Sequence, residues 1–172
     1  MGCDMKIRQA KQTDAKGIAK VQVDSWKTTY KGIVPDEFLQ SMTYESREEK
    51  WKEIISSQPV FIAETKDGEI VGFAGGGMER TGKYPDFEGE LYAIYILEEF
   101  QRKGLGRLLV EAVVEDLKRK NISTMTVQVL AENRSRFFYE SLGAKKIDTA
   151  EIEIGGKQLT EFVYGWKNIN TI

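Results

Sequence analysis

The chain has 172 residues, 41% of them hydrophobic and 30% charged, with a formal net charge of −2. That length suits one domain, 1–172, with its own apolar core and no need of a metal or disulfide staple. The slight acidity excludes the basic footprint of a nucleic-acid binder, and no apolar run reaches the length of a membrane span. Residues 1–4 read as a frayed or tag-like leader without an apolar signal region, so a cytoplasmic location is expected. Cys3 in that leader is the only cysteine, which excludes an internal disulfide, and no catalytic role is expected of it. The chain has no histidine, which excludes Ser-His-Asp and Cys-His nucleophile systems and a His-ligated zinc. An acid or base must therefore be Glu, Asp, Tyr, Lys or water, and no metal is expected.

In chain order, Lys6–Gln9 predicts a short opening strand. Thr13 and Asp14 are candidate caps for a helix carried by Ile18, Val21 and Val23 to about Tyr30. Pro35-Asp36-Glu37 opens a short second helix, because proline suits a first turn. Thr43-Tyr44-Glu45-Ser46 starts a third, with Trp51, Ile54 and Ile55 on one side. From Val60 the period changes. Val60–Thr65 and Glu69–Met78 predict two strands joined by Lys66-Asp67-Gly68, and Gly75-Gly76-Gly77 predicts a bulge or a close backbone approach. Thr81–Glu88 is a polar loop containing Tyr84 and Pro85.

Leu91–Leu97 is almost wholly apolar or aromatic and predicts a strand buried on both faces. A helix follows from Gly104 to Lys120, with Leu105, Leu108, Leu109, Ala112, Val113 and Leu117 as its apolar stripe. Lys118-Arg119-Lys120 reads as the helix ending, where cations suit the negative end of the dipole. Ser123–Leu130 returns to strand, and Asn133–Leu142 is a short helix stopped by Gly143. Lys145–Ile154 and Gln158–Tyr164 form a last hairpin across Gly155-Gly156. With no repeat and no linker, this order predicts a single mixed α/β domain around a largely antiparallel sheet.

The chemistry-bearing segment is Gln101-Arg102-Lys103-Gly104-Leu105-Gly106, between the apolar strand and its helix. A first helical turn offers unpaired N–H groups and partial positive charge, and glycine lets an anion approach them. Arg102, Lys103 and Arg107 add charge. The dipole alone supplies about 0.3–1 kcal/mol, whereas amide hydrogen bonds to charged oxygens supply about 1.5–3 kcal/mol each. By spacing alone the loop is equally a plain strand-to-helix turn. It is not a Walker A loop, since no Gly-Lys-Ser/Thr follows, nor a dinucleotide fingerprint, since the third glycine is missing.

Gln-Arg-Lys-Gly-Leu-Gly after an apolar strand closely resembles the Gln/Arg-x-x-Gly-x-Gly/Ala signature of the GNAT superfamily of acyl-CoA N-acyltransferases. Downstream, Ala131-Glu132-Asn133-Arg134-Ser135-Arg136-Phe137-Phe138-Tyr139-Glu140-Ser141-Leu142-Gly143 is similar to that family's Asn turn followed by Phe-Tyr-Glu-x-x-Gly. The opening Ile7-Arg8-Gln9-Ala10, with Asp14 and Ile18, resembles a GNAT N-terminus, so the likeness spans nearly the whole chain. Ala144 departs from the pattern, where an aromatic often follows Leu-Gly; that bears on local packing. The resemblance implies an α+β fold with about seven strands flanked by helices, and an enzyme using acetyl-CoA, with no metal.

It also implies residue roles. Main-chain groups around Ile94, Tyr95 and Ile96 face the pantetheine arm, and the amides from Arg102 to Arg107, Leu105 among them, hold the pyrophosphate beside Gln101. Asn133 and Arg136 complete the cofactor contacts, with plain N-capping as a compatible role for Asn133. Tyr139 is the candidate general acid toward the departing thiolate; its alternative is a core tyrosine. Glu90 is the candidate base, as in the histone-acetylating branch, against an exposed charge at a strand start or a base made of waters; Glu88 and Glu132 are weaker candidates. The need is real, since neutralising a lysine-like amine of pKa about 10.4 at pH 7 costs about 4.6 kcal/mol. Trp26, Tyr30, the Gly32–Pro35 segment, and Tyr84 with the Thr81–Glu88 loop are candidate acceptor-site walls, suited to a cationic amine, with core packing the alternative for Trp26 and Tyr30. The acceptor is expected to be a small cationic amine or a peptide amine, not nucleic acid or membrane, with the C-terminal hairpin a candidate homodimer surface. The competing function is a CoA-binding sensor without turnover.

Overall fold

In the computed structural model, which describes residues 5–172, strand β1 (Lys6–Gln9) leads through a 3₁₀ turn to helix α1 (Ala15–Thr29). Helices α2 (Asp36–Ser41) and α3 (Tyr44–Ser57) follow, then strands β2 (Val60–Glu64), β3 (Ile70–Met78) and β4 (Gly89–Ile96). Helix α4 (Leu105–Arg119), strand β5 (Met125–Leu130), helix α5 (Ser135–Ser141) and the hairpin β6 (Lys145–Ile154) and β7 (Lys157–Trp166) complete the chain. The expectations for the leader 1–4 and for Cys3 lie outside the described residues. The strands form one seven-stranded sheet in the order β1-β2-β3-β4-β5-β7-β6, antiparallel throughout except between β4 and β5. That parallel pair needs a crossover, which α4 supplies, and a second one through α5 carries the chain from β5 past β7 to β6. No helix among the described residues is long and apolar enough to cross a membrane.

Local chemistry sets most of the boundaries. Thr43 Oγ1 accepts the Ser46 N–H at 3.2 Å and caps α3. Asp14 does not cap α1. Its carboxylate accepts the Lys11 N–H at 2.7 Å and the Arg8 guanidinium at 2.8 Å, fastening β1 to the turn. Arg8 also reaches Glu64 on β2 at 2.9 Å, so one guanidinium joins two carboxylates. Hydrogen bonds from Arg8 hold both acids below their ordinary pKa. A carboxylate with a depressed folded pKa contributes stability above its unfolded value, near 4, and loses it as pH falls through the folded value. Arg8→Met is therefore expected to cost about 2 kcal/mol at pH 7, as removal of one partner from a part-buried network, and that difference is expected to shrink at a pH well below about 4. Urea unfolding at the two pH values checks it.

Buried Phe73 packs its ring on Trp51 of α3, at 4.9 Å between centroids, while its neighbour Gly72 meets Leu109 of α4. Alternation along β3 thus puts α3, with α1 beside it, and α4 on opposite faces. Leu105, Leu109, Val110, Val113, Val114 and Leu117 form the buried face of α4, each contributing about 1.5–3 kcal/mol of apolar transfer. Leu108, expected on that stripe, is 45% exposed, and Val110 takes its place. A second cluster of Tyr30, Val34, Leu39, Leu130 and Leu159 joins the end of α1 and α2 to β5 and β7.

The feature that positions the site is the parting of β4 from β5. They pair only at Gly89–Leu91 with Met125–Val127. At the Gly75/Gly76 register shift Tyr92 is the extra residue, and beyond it β4 stays with β3 while β5 stays with β7. This is why the expected fully buried strand is buried only over Gly89–Leu91; Tyr92–Ile96 line an opening.

Candidate active site

A cleft of about 770 Å³ runs from the start of α4 to the parted strands. It is lined by Ile94 and Ile96 of β4, by Gln101, Arg102, Gly104, Gly106 and Arg107, by Asn133 and Tyr139, and by Thr28 and Thr29 at the end of α1 with Ile33 beyond it. It meets a small cavity, bounded by Tyr30, Tyr92, Tyr95 and Gln128, through the shared walls Ile94, Asn133, Ser135 and Tyr139.

The floor of the cleft is main chain. The Leu97 N–H bonds to Val71 O at 2.9 Å across to β3. Backbone groups alternate along a strand, so those of Ile96 and Ile94 turn toward the opening and those of Tyr95 toward β3. Ile94 and Ile96 thus turn their backbones to the cleft, whereas Tyr95 brings its ring, not its backbone. Gln101 Nε2 donates to Ile96 O at 3.0 Å and ties the loop to the strand end.

The loop then turns through two left-handed residues, Arg102 at φ 63° and Gly104 at φ 84°, before α4 begins. Gly104 would meet nothing with a Cβ, so its glycine serves conformation. Gly106 serves space: a Cβ there would lie 3.0 Å from Phe138 Cζ and 3.6 Å from Ile96 Cδ1. The free N–H groups of the first turn of α4 face a cleft carrying Arg102, Arg107 and Arg134. This donor set fits a pyrophosphate. Lys103 is exposed beside Phe100, its Nζ 5.7 Å from the ring, and Leu105 is core; neither side chain lines the cleft.

Around the opening the polar groups converge. Asn133 is buried, accepts the Ser135 N–H at 2.8 Å and donates to the Tyr30 hydroxyl at 3.1 Å, joining the starts and ends of two helices in one contact. Tyr139 is 5% exposed, edge-on to Trp166 at 6.2 Å, and its proton affinity is raised by burial first and then by Tyr30. Tyr95 and Tyr30 are raised as well, chiefly by burial. All three phenols stay protonated at neutral pH, so this opening holds proton donors.

Other expected residues sit elsewhere. Arg136 is corrected: its Nε donates to Ala131 O at 3.1 Å and its guanidinium stacks on Phe137 at 4.1 Å, while Arg134 lines the cleft in its place. Seven residues of α5 make two turns, and neighbouring arginines at its start point apart. Glu90 is not an exposed strand-start charge. It is 1% exposed and held by Arg80, with Nη2 at 2.8 Å and Nε at 3.2 Å, plus the Arg80 N–H at 3.1 Å, and it borders neither cavity. Glu132 lines the cleft. Trp26 stacks behind Tyr30 at 4.5 Å. Tyr84 donates to Asp148 at 2.7 Å, with its pKa pushed up to about 12 by burial and that carboxylate, and borders neither cavity. The sequence gives no sign of Thr28 and Thr29, which reach the cleft through the packing of α1, whereas Ile33 lies in the Gly32–Pro35 segment that the family resemblance offers as an acceptor-site wall. Ser135 and Phe138 lie within the Asn133–Tyr139 block, where their spacing hints at them.

The sequence model of the Acetyltransferase (GNAT) family matches residues 23–144. The chain is 41% identical over 166 residues to an uncharacterized N-acetyltransferase, YuaI, of Bacillus subtilis (strain 168), covering 96% of this chain and 95% of that one. It is 30% identical over 115 residues to a spermidine N(1)-acetyltransferase of Thermoplasma acidophilum, covering 63% and 68%. Among solved structures it is similar to the PaiA N-acetyltransferase of Thermoplasma acidophilum in complex with coenzyme A, with a TM-score of 0.73 and 25% identity over 91% of this chain and 97% of that one.

Proposed function

The chain belongs to the acetyltransferase (GNAT) family, and from that premise we propose that it moves an acetyl group from acetyl-CoA to a primary amine, either a small cationic amine or a peptide amine. The observation that carries this is the continuity of two features: an anion-binding helix start opening into a gap between parted strands, with a buried phenol at the junction. The amides after Gly104, with Arg102, Arg107 and Arg134, hold the pyrophosphate. The turned-out backbone of Ile94 and Ile96 aligns the pantetheine, and the Ile96 N–H supports the carbonyl oxygen as it gains charge. The amine nitrogen bonds to the thioester carbon, the carbon–sulfur bond breaks, and Tyr139 gives its proton to sulfur. The amine's proton leaves to solvent, which reprotonates Tyr139. Release of free thiol from acetyl-CoA that depends on an added amine tests the activity; binding of CoA without such release would leave the sensor function.

Glu90 has a different part. Buried and engaged by Arg80, it anchors the segment after β3 and does not take the amine proton. Glu90→Gln is expected to lower stability by about 1–3 kcal/mol, through a weakened charge-assisted contact, while the pH–rate profile keeps its shape. Loss of the acidic limb of that profile, where a base becomes protonated, would restore it as the base.

A further inference from the structure

Glu161 stands apart from the other buried and half-buried carboxylates among the described residues. Among the described residues the buried or half-buried acids Asp14, Asp24, Glu48, Glu64, Glu79, Glu90, Glu111 and Asp116 each have an ion pair or hydrogen bond. Glu161 is half-buried and has neither. Its oxygens stay open to solvent, and so to a ligand, but a carboxylate partly desolvated without a partner is less favourable, and a cation beside it offsets that penalty.

Its position says which cation. Glu161 is opposite Leu130 on β5 and two residues from Leu159, both in the cluster with Tyr30. Tyr164 and Trp166, of the other parity on β7, carry α5, through the Tyr164 hydroxyl on Glu140 and Trp166 Nε1 on Leu142 O. Glu161 therefore faces away from α5, on the sheet face of the Tyr30 cluster, and borders neither cavity itself, while Tyr139 reaches the opening from α5. Gln128, opposite Val163, shares the Glu161 face and borders the small cavity. The charged groups that act on Glu161 are Glu90, already matched by Arg80, and the exposed Lys83; its own charge is felt by Tyr30 and Tyr84.

We propose that Glu161 is the acceptor-docking carboxylate, holding an ammonium group of the incoming amine on the face of the sheet opposite α5. The nitrogen that attacks must be neutral, so an ammonium that stays on Glu161 is a second nitrogen of the same molecule. The acceptor class is then a diamine or polyamine. This rests on the acetyl transfer proposed above and narrows its acceptor.

The test compares spermidine with n-hexylamine as acceptors, at saturating acetyl-CoA, for the wild type, Glu161→Gln and Glu161→Asp. The wild type is expected to favour spermidine at least tenfold in kcat/KM. In Glu161→Gln the spermidine KM rises at least tenfold with a smaller change in kcat, and the preference collapses toward parity; Glu161→Asp recovers part of it. Equal loss on both amines, or an unchanged preference, overturns the role of Glu161 while acetyl transfer stands. Failure of the wild type to acetylate any amine overturns the transfer itself and the docking role with it.

Discussion

Tyr139→Phe is expected to lower kcat about 100-fold and to leave the KM for acetyl-CoA nearly unchanged. The ring keeps its edge-on contact with Trp166 and its place against Phe138, so only the hydroxyl is lost. A thiol of pKa about 8.5 that departs as thiolate at pH 7 forgoes about 2 kcal/mol of protonation, a factor of about 30. General acids supply about 10²–10⁴-fold, and the lower end suits so good a leaving group. The pH dependence has a definite sign. The donor is the protonated phenol, present below its pKa, and burial followed by Tyr30 raises that pKa. Wild-type kcat should therefore hold its plateau past pH 10, where an ordinary tyrosine would be half ionised. A kcat for Tyr139→Phe within threefold of wild type shows that sulfur is protonated by another group.

Gly106→Val is expected to weaken CoA binding about 100-fold with little loss of stability. A Cβ at this position sits 3.0 Å from Phe138 Cζ and 3.6 Å from Ile96 Cδ1, all within the cleft wall. The valine methyls extend from there over the amides of the first turn. Excluding one charged oxygen from those amides loses about 1.5–3 kcal/mol, and about 1.4 kcal/mol is tenfold in affinity. The Phe138 ring has to shift to admit the side chain, and the helix propensity gained over glycine offsets part of that cost. Gly104→Ala is the control. It meets open space and loses only backbone strain of about 1–2 kcal/mol at φ 84°. Calorimetric titration with CoA and a thermal melt of each variant distinguish blockage from strain.

Sequence and structure agree most closely where a local rule decides. The Thr43 cap, the Gly75/Gly76 irregularity and the turn at Gly104 all follow from short-range chemistry, and each stands where its residues predict. The family signature likewise located the cleft, because its residues are contiguous in the chain. What escaped depends on direction or on partners far along the chain. Leu108 and Val110 are both compatible with an apolar stripe, and only the angle at which α4 meets the sheet exposes one and buries the other. Arg134 and Arg136 are indistinguishable by composition, yet the pitch of a short helix aims one at the cleft and the other at Phe137. Glu90 carries the look of a base until Arg80, ten residues earlier, closes over it. Glu161 reads only as one polar residue in a hairpin strand. Its significance is that nothing pairs with it, a property no local pattern records.

The most direct measurement is a single turnover with acetyl-CoA carrying an isotopic label in the acetyl group, in the presence of spermidine. Direct transfer across the opening between β4 and β5 predicts that the label passes to an amine nitrogen at the rate free thiol appears, with none bound covalently to the protein. Label held on the protein before it reaches the amine, or found only as acetate, contradicts direct transfer at this site.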